Sequence, residues 1–190
     1  MVSSYTDEQL LKKAASLYGF EEFPLDFWIL GVRSEDDTPD GYDDKFYIYK
    51  GVEFIMVTTG STNSGVYGLL NFSKWNRHGA AVVKSNEWYY DLWKPGRHKG
   101  KMDALVQNTS IKVYRDNNMD DKNDETGAIH EGFYGINFHT VTYKMVDYVR
   151  SSIGAWSVGC QTPNNTKDYY KIMDLVKDQG PVTYCLLKEF

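Results

Sequence analysis

The chain has 190 residues, 42% of them hydrophobic, with 15 Tyr and 5 Trp; that is too much core-forming side chain for disorder and a length that suits one main domain. Lys and Arg number 21 against 26 Asp and Glu, a net charge of −5, and the basic residues are scattered, which excludes a cation-clustered grip on nucleic acid as the main role. No apolar run approaches the roughly 20 residues that cross a bilayer, and Met1 to Gln9 is polar where a signal peptide carries its apolar stretch, so stable membrane insertion is not expected and synthesis in the cytoplasm without a signal peptide is.

In chain order, Thr6 and Gln9 have capping-box spacing, and Leu10, Ala14 and Leu17 recur on one face of a helix that Gly19 ends; residues 1–24 form an N-terminal helical segment. Phe27 to Val32, Phe46 to Tyr49 and Val52 to Thr59 are rich in β-branched and aromatic residues, with Lys50-Gly51 as a turn between the last two, and are predicted as strands. The run Glu35, Asp36, Asp37, Asp40, Asp43 and Asp44 reads as a solvated turn. From Gly60 to Lys101 periodicity is weak, which predicts short strands and long loops; Trp88 to Trp93 reads as core ahead of a ligand groove, and His98 as an exposed side chain without a partner. Ala104 to Val106 and Ile111 to Tyr114 resume the strand pattern.

Asp116, Asn118, Asp120 and Asp124 fall at the first, third, fifth and ninth positions of a calcium loop, with Asp121 where the sixth position takes Gly and Gly127 where the twelfth takes Glu. The alternatives are a solvated acidic turn and a structural calcium site of modest affinity. In Tyr134 to His139 a strand would place Tyr134, Ile136 and Phe138 on the packed face and His139 off it. Asn165 caps a helix carrying Tyr169, Ile172, Met173 and Val176 before Gly180-Pro181. Two cysteines are too few for a stapled scaffold: Cys185 lies in the strand-like run Val182 to Leu187, whereas Cys160 lies in the turn-rich stretch Ile153 to Pro163, just before that helix. A helix start and a nearby imidazole both favour a thiolate, and the turn at Gly159 could aim backbone N–H groups at an oxyanion. Composition leaves a buried structural thiol and a nucleophile both open.

His139 precedes Cys160 by 21 residues, the reverse of the papain-like order, and no Arg follows Arg150, against a sortase-like site. Ser157-Val158-Gly159-Cys160, with His139 upstream in Tyr134-Gly135-Ile136-Asn137-Phe138-His139, resembles the Ser-x-Gly-Cys signature of the L,D-transpeptidase catalytic domain of the YkuD type. Gly96 to Lys101 and Ala104 to Gln107 look like phage-borne versions of it. The resemblance implies a catalytic domain over residues 25–190: a mostly β, α+β fold, a β-sandwich with a short N-terminal helix and a helix after the Cys. It implies that Cys160 attacks the carbonyl of the third residue of a peptidoglycan stem peptide. His139 would be the base, the Thr140 carbonyl would orient it, Gly159 and Cys160 would supply oxyanion donors, Ser157 would shape the loop, and no cofactor is needed for the chemistry.

Three positions depart from the family pattern: Thr140 stands for Gly, Val158 for His and Gln161 for Arg. Losing that Arg removes a bidentate carboxylate partner, which Arg150 or Lys144 would have to replace. Hydrolysis of the thioester is expected ahead of 3–3 cross-linking, as in a phage lysis enzyme delivered to the cell wall. A wall-binding or phage structural protein that keeps the fold without catalysis is the alternative from another class, and a different cysteine acyltransferase or peptidase on the same scaffold is the third reading.

Overall fold

In the computed structural model, which describes residues 1–190, α1 (Asp7–Ala15) starts at a closed capping box: Gln9 N–H donates to Thr6 Oγ1 and Thr6 N–H to Gln9 Oε1. There follow β1 (Phe27–Arg33), β2 (Asp44–Lys50), β3 (Glu53–Ser61), the short helix α2 (Val66–Leu70), β4 (Ala80–Val83), β5 (Glu87–His98), β6 (Met102–Gln107), β7 (Ile111–Asp116), β8 (His130–Gly132), β9 (Thr162–Pro163), α3 (Thr166–Val176) and β10 (Val182–Lys188). A seven-stranded sheet has the order β6-β5-β10-β1-β2-β3-β9, and a three-stranded sheet the order β4-β7-β8. The last strand enters the middle of the large sheet, parallel to β1 and antiparallel to β5. The fold is mostly β, of the α+β class, with three helices.

Alternation in the central strands sends side chains to two cores. On one face Trp28, Leu30, Tyr47, Tyr49, Trp88 and Cys185 pack beneath Leu10 and Ala14 of α1, so the N-terminal segment is built into the sheet. On the other face Ile29, Phe46, Ile48, Trp93 and Tyr184 pack against Val83, Ile111 and Val113 of the small sheet and Tyr169, Ile172 and Val176 of α3. Trp88, Tyr89, Leu92 and Trp93 are all core, and both cysteines are free.

The structure corrects three expectations. First, β5 runs twelve residues to His98, straight through Pro95-Gly96, in a region expected to hold short strands and long loops. β10 pairs with β5 only as far as Trp93, so Pro95 meets a ladder on one side alone, where its missing N–H is tolerated; Lys99 and Gly100, both with positive φ, then turn the chain into β6. Second, Tyr134 to His139 is not a strand. Gly135 has φ +70°, and the side-chain oxygen of Gln107 accepts the N–H groups of Tyr134, Gly135 and Ile136, leaving only the bridges of Phe138 to Leu105 and Gln161. Third, the acidic run is only partly solvated. Asp44 is buried and accepts from Ser34 N–H, Thr62 N–H and Thr62 Oγ1, and Asp40 accepts from Val66 N–H and Gly154 N–H; loop amides without ladder partners need such acceptors.

Candidate active site

Two irregular segments meet at the edge of the second core. Gln161 N–H donates to Asn137 O at 2.9 Å and His139 N–H to Gln161 O at 3.1 Å, and Asn137 N–H approaches Cys160 Sγ at 3.5 Å. This pairing, not a shared strand, sets Cys160 beside His139. The Cys160 loop is held from beneath. Ser157 Oγ, buried, donates to Cys160 O at 2.7 Å and accepts Gly159 N–H at 3.2 Å. Gln161, fully buried, donates to Thr62 O and Gly159 O and accepts the Tyr184 hydroxyl. Gln161 therefore faces the interior and anchors the loop. At Gly159, φ is +112° and a Cβ would stand 2.5 Å from Ala81 O, so only glycine fits there.

Cys160 Sγ, a ring nitrogen of His139 and a ring nitrogen of His98 lie within 4.8 Å of one another. His139 Nδ1 donates to Thr140 O at 2.8 Å, and its Nε2 is buried without a partner. The thiol donates to Gly135 O at 3.5 Å. His98 is the residue that sequence reasoning missed: it is 7% exposed and its ring stacks on that of His139, centroids 4.2 Å apart. No periodic signal marks it, because burial does not alternate along β5. His139 is likewise buried, at 1%; the face opposite Ile136 and Phe138 looks into the site and not into solvent.

Burial pushes His139 down to about 3, reinforced by His98, and pushes His98 down to about 4, reinforced by Lys99; both imidazoles are neutral at pH 7. The Cys160 thiol is raised by burial, which outweighs the Asn137 N–H and the Lys99 charge. This corrects the expectation of a thiol lowered by a helix start: the first N–H groups of α3 are taken by Tyr148 O and the Asn165 side chain, and the thiol's own partners are Gly135 and Asn137.

The tautomer of His98 follows from its neighbours. Gln107 N–H donates to Asn137 Oδ1 at 3.0 Å, which turns Asn137 Nδ2 toward His98 Nδ1 at 2.8 Å. An amide nitrogen can only donate, so His98 Nδ1 is the acceptor and the neutral ring carries its proton on Nε2. The two rings thus have opposite polarity, His139 offering a lone pair and His98 an N–H. No other three His, Cys, Asp or Glu side chains converge as closely, yet a cation on His98 would need the nitrogen that holds the proton. The donor set suits proton transfer and hydrogen bonding.

The trio lies on a cavity of about 390 Å³ that Trp75, Phe133, Tyr134 and Trp156 also line. A second, of about 270 Å³, shares His98, Lys99, His139 and Trp156 and adds Tyr143 and Arg150. Arg150 stacks on Trp156 at 5.2 Å and donates to Ser152 O; Arg115 stacks on Tyr134 at 4.4 Å in the first cavity. Each cavity thus carries an arginine, whereas Lys144 lines neither. The aromatic lining comes from loops, where no periodicity announces it.

The loop after β7 draws Asp116, Asn118, Asp120 and Asp124 together. Asn118 Nδ2 donates to Asp120 and to Asp124, each at 2.9 Å, and Asp116 accepts from Asn118 N–H and Asp124 N–H. An amide nitrogen sits between the carboxylates, so a calcium ion would require that amide turned to present its oxygen. Comparison of the chain with family models, curated proteins and solved structures gives no match.

Proposed function

We propose that this chain is a peptidoglycan-active cysteine enzyme that cuts the peptide bond after the third stem-peptide residue. The observation that supports it most is the convergence of Cys160 Sγ with His139, whose Nδ1 is held by Thr140 O and whose Nε2 is a free, buried lone pair, on a cavity of about 390 Å³. The likeness of Ser157 to Cys160 to the L,D-transpeptidase signature supplies the substrate class. In the reaction, Cys160 turns from Gly135 O toward His139, and the thiol proton passes to His139 Nε2. The thiolate attacks the carbonyl, the C–N bond breaks, and the leaving amine takes the proton from His139. Water then gives a proton to His139 and attacks the thioester; the C–S bond breaks, the sulfur recovers the proton, and the shortened stem leaves as a carboxylate. Water is the proposed acceptor because it needs no second peptide to be held.

Of the backbone donors, Gly159 N–H is engaged by Ser157 Oγ, while Cys160 N–H makes no hydrogen bond within the chain and is free to meet the oxyanion. Arg150, Arg115 and Lys99 provide charge for the stem carboxylates. The test is mass spectrometry of purified muropeptides incubated with the protein. Shortened stems formed by the wild type and not by Cys160→Ala are expected; 3–3 dimers accumulating faster than cut monomers with excess acceptor would replace hydrolysis by transfer. The thiol bonded to Gly135 O and raised by burial favours the second reading, a non-catalytic wall-binding protein. Co-sedimentation with cell-wall sacculi without any product would establish it.

A further inference from the structure

We infer that His98 is a catalytic residue, the neutral N–H donor that completes the oxyanion site with the backbone N–H of Cys160. The inference rests on Cys160 forming an acyl-enzyme, but not on the acyl group coming from peptidoglycan.

An addition intermediate at an acyl carbon places a full negative charge on oxygen, and two aimed donors are the usual minimum for holding it. In this loop one backbone donor is already spent, because Ser157 Oγ holds Gly159 N–H. Cys160 N–H alone remains. His98 supplies the second donor. It lines both cavities, and a nitrogen of its ring lies within 4.8 Å of Cys160 Sγ. Nδ1 is engaged by Asn137, and Asn137 is itself oriented by the Gln107 backbone, so the proton stands on Nε2, the nitrogen that bonds to nothing in the chain. Asn137 also reaches Cys160 Sγ through its N–H and Gln161 through its carbonyl. One residue thus ties the ring of His98 to the nucleophile and fixes which nitrogen donates. Charging His98 would set an N–H against the Asn137 amide hydrogens, so the ring holds the donor form while His139 cycles through its charged form. A stacked pair, one ring accepting and one donating, divides base and electrophile between two imidazoles.

The step to be probed is acylation. The Cys160 thiolate attacks the carbonyl of p-nitrophenyl acetate, the oxyanion forms and collapses, p-nitrophenolate leaves, and an acetyl thioester remains on Cys160. Alkylation of Cys160 by iodoacetamide displaces iodide without forming an oxyanion and serves as the control. Two variants separate the roles: His98→Asn can keep the acceptor toward Asn137 but has no group at the Nε2 position, whereas His98→Gln places an amide N–H there. His98→Asn is expected to slow the p-nitrophenolate burst about 100- to 1,000-fold, the loss typical of one oxyanion donor, while alkylation stays within about threefold. His98→Gln is expected to recover the burst to within about tenfold of wild type. Melting temperatures of the variants close to wild type would show that the site still folds; if His98→Asn loses the fold, the burst of His98→Gln relative to its own alkylation decides.

An unchanged burst in His98→Asn, a parallel fall in alkylation, or a His98→Gln variant no better than His98→Asn would each overturn the inference, as would a wild type that alkylates at Cys160 and gives no burst. Muropeptide digestion is read separately. If the burst responds as expected while muropeptides stay intact, His98 keeps its role and the peptidoglycan reading fails.

Discussion

The two faces of the seven-stranded sheet carry different chemistry. Beneath α1 the contacts are ring on ring and ring on aliphatic: Trp28 stacks on Tyr49 at 5.1 Å and meets Trp88 at 5.3 Å, with Cys185 buried among them. On the opposite face the apolar core gives way toward its rim to buried polar groups, with Arg33 on Thr62 and Glu125, Gln161 on Tyr184, and the His98–His139 stack. A thiol set among rings is an inert small hydrophobe, whereas a thiol set among hydrogen-bonding loops has a lone-pair acceptor within reach. The two cysteines of this chain are that contrast in one residue type.

The largest effect expected from breaking the contrast is at the thiols. Cys160→Ala should abolish both muropeptide cleavage and iodoacetamide labelling of the native protein, whereas Cys185→Ala should leave both and cost about 1 kcal/mol of stability, near the average for a single substitution. Peptide mapping after a short alkylation pulse checks it, and dominant labelling of Cys185 would reverse the assignment. On the α1 face, Leu10→Ala removes a side chain with no exposed surface and should cost about 3 kcal/mol through lost burial and the cavity left behind. Because α1 lies across the sheet from the site, Cys160 alkylation should keep its rate; a fall of tenfold or more would mean that the faces are coupled.

Acid should act on the site face first. Both imidazoles are held below their ordinary value, so between about pH 6.5 and pH 4 the unfolded chain binds protons that the folded chain refuses. Their stability contribution is complete above pH 6.5 and declines as pH falls toward those folded values, by about 2 kcal/mol for each ring at pH 4.5. Asp44, pushed up to about 6 by burial, works in the opposite direction, so a variant comparison isolates the rings: His98→Gln should flatten the fall in urea midpoint between pH 7 and pH 4.5. An unchanged slope would remove His98 from the acid response.

The smallest effect concerns the Asp116 loop, which borders the same face. If the Asn118 amide turns to admit calcium, occupancy at ten times the dissociation constant adds about 1.4 kcal/mol and raises the melting temperature by roughly 3 to 5 °C. Asp120→Ala should erase the difference between millimolar calcium and excess chelator. No difference in the wild type would leave Asn118 as the group that satisfies these carboxylates.

The aromatic face was legible in the sequence because its signals are local and periodic. The Thr6–Gln9 box, the spacing of Leu10 and Ala14, and the β-branched and aromatic runs Phe27 to Val32 and Val182 to Leu187 each lie within one element, where backbone geometry converts position into direction. The Asn165 cap and the Tyr169, Ile172 and Val176 stripe of α3 were legible for the same reason. Cys160, Ser157 and Gly159 stood out by a short motif, and that motif placed His139 in play. The Trp75, Phe133 and Trp156 lining had no such signal, since its residues come from three loops.

The sequence by itself determined α1, α3 and the strands β1, β2, β3 and β10, the mostly β class and the split between a core cysteine and a loop cysteine, because these depend on neighbours a few residues apart. Only the tertiary structure decided that His98 stacks on His139, that Asn137 sets the tautomer of His98, and that the acidic run sends Asp44 inward. Each of those outcomes joins groups from distant segments, as from β5 to the loop after β8 or from β2 to the Thr62 loop. Burial then fixes their chemistry, because a polar atom removed from water must take whichever partner the fold brings to it.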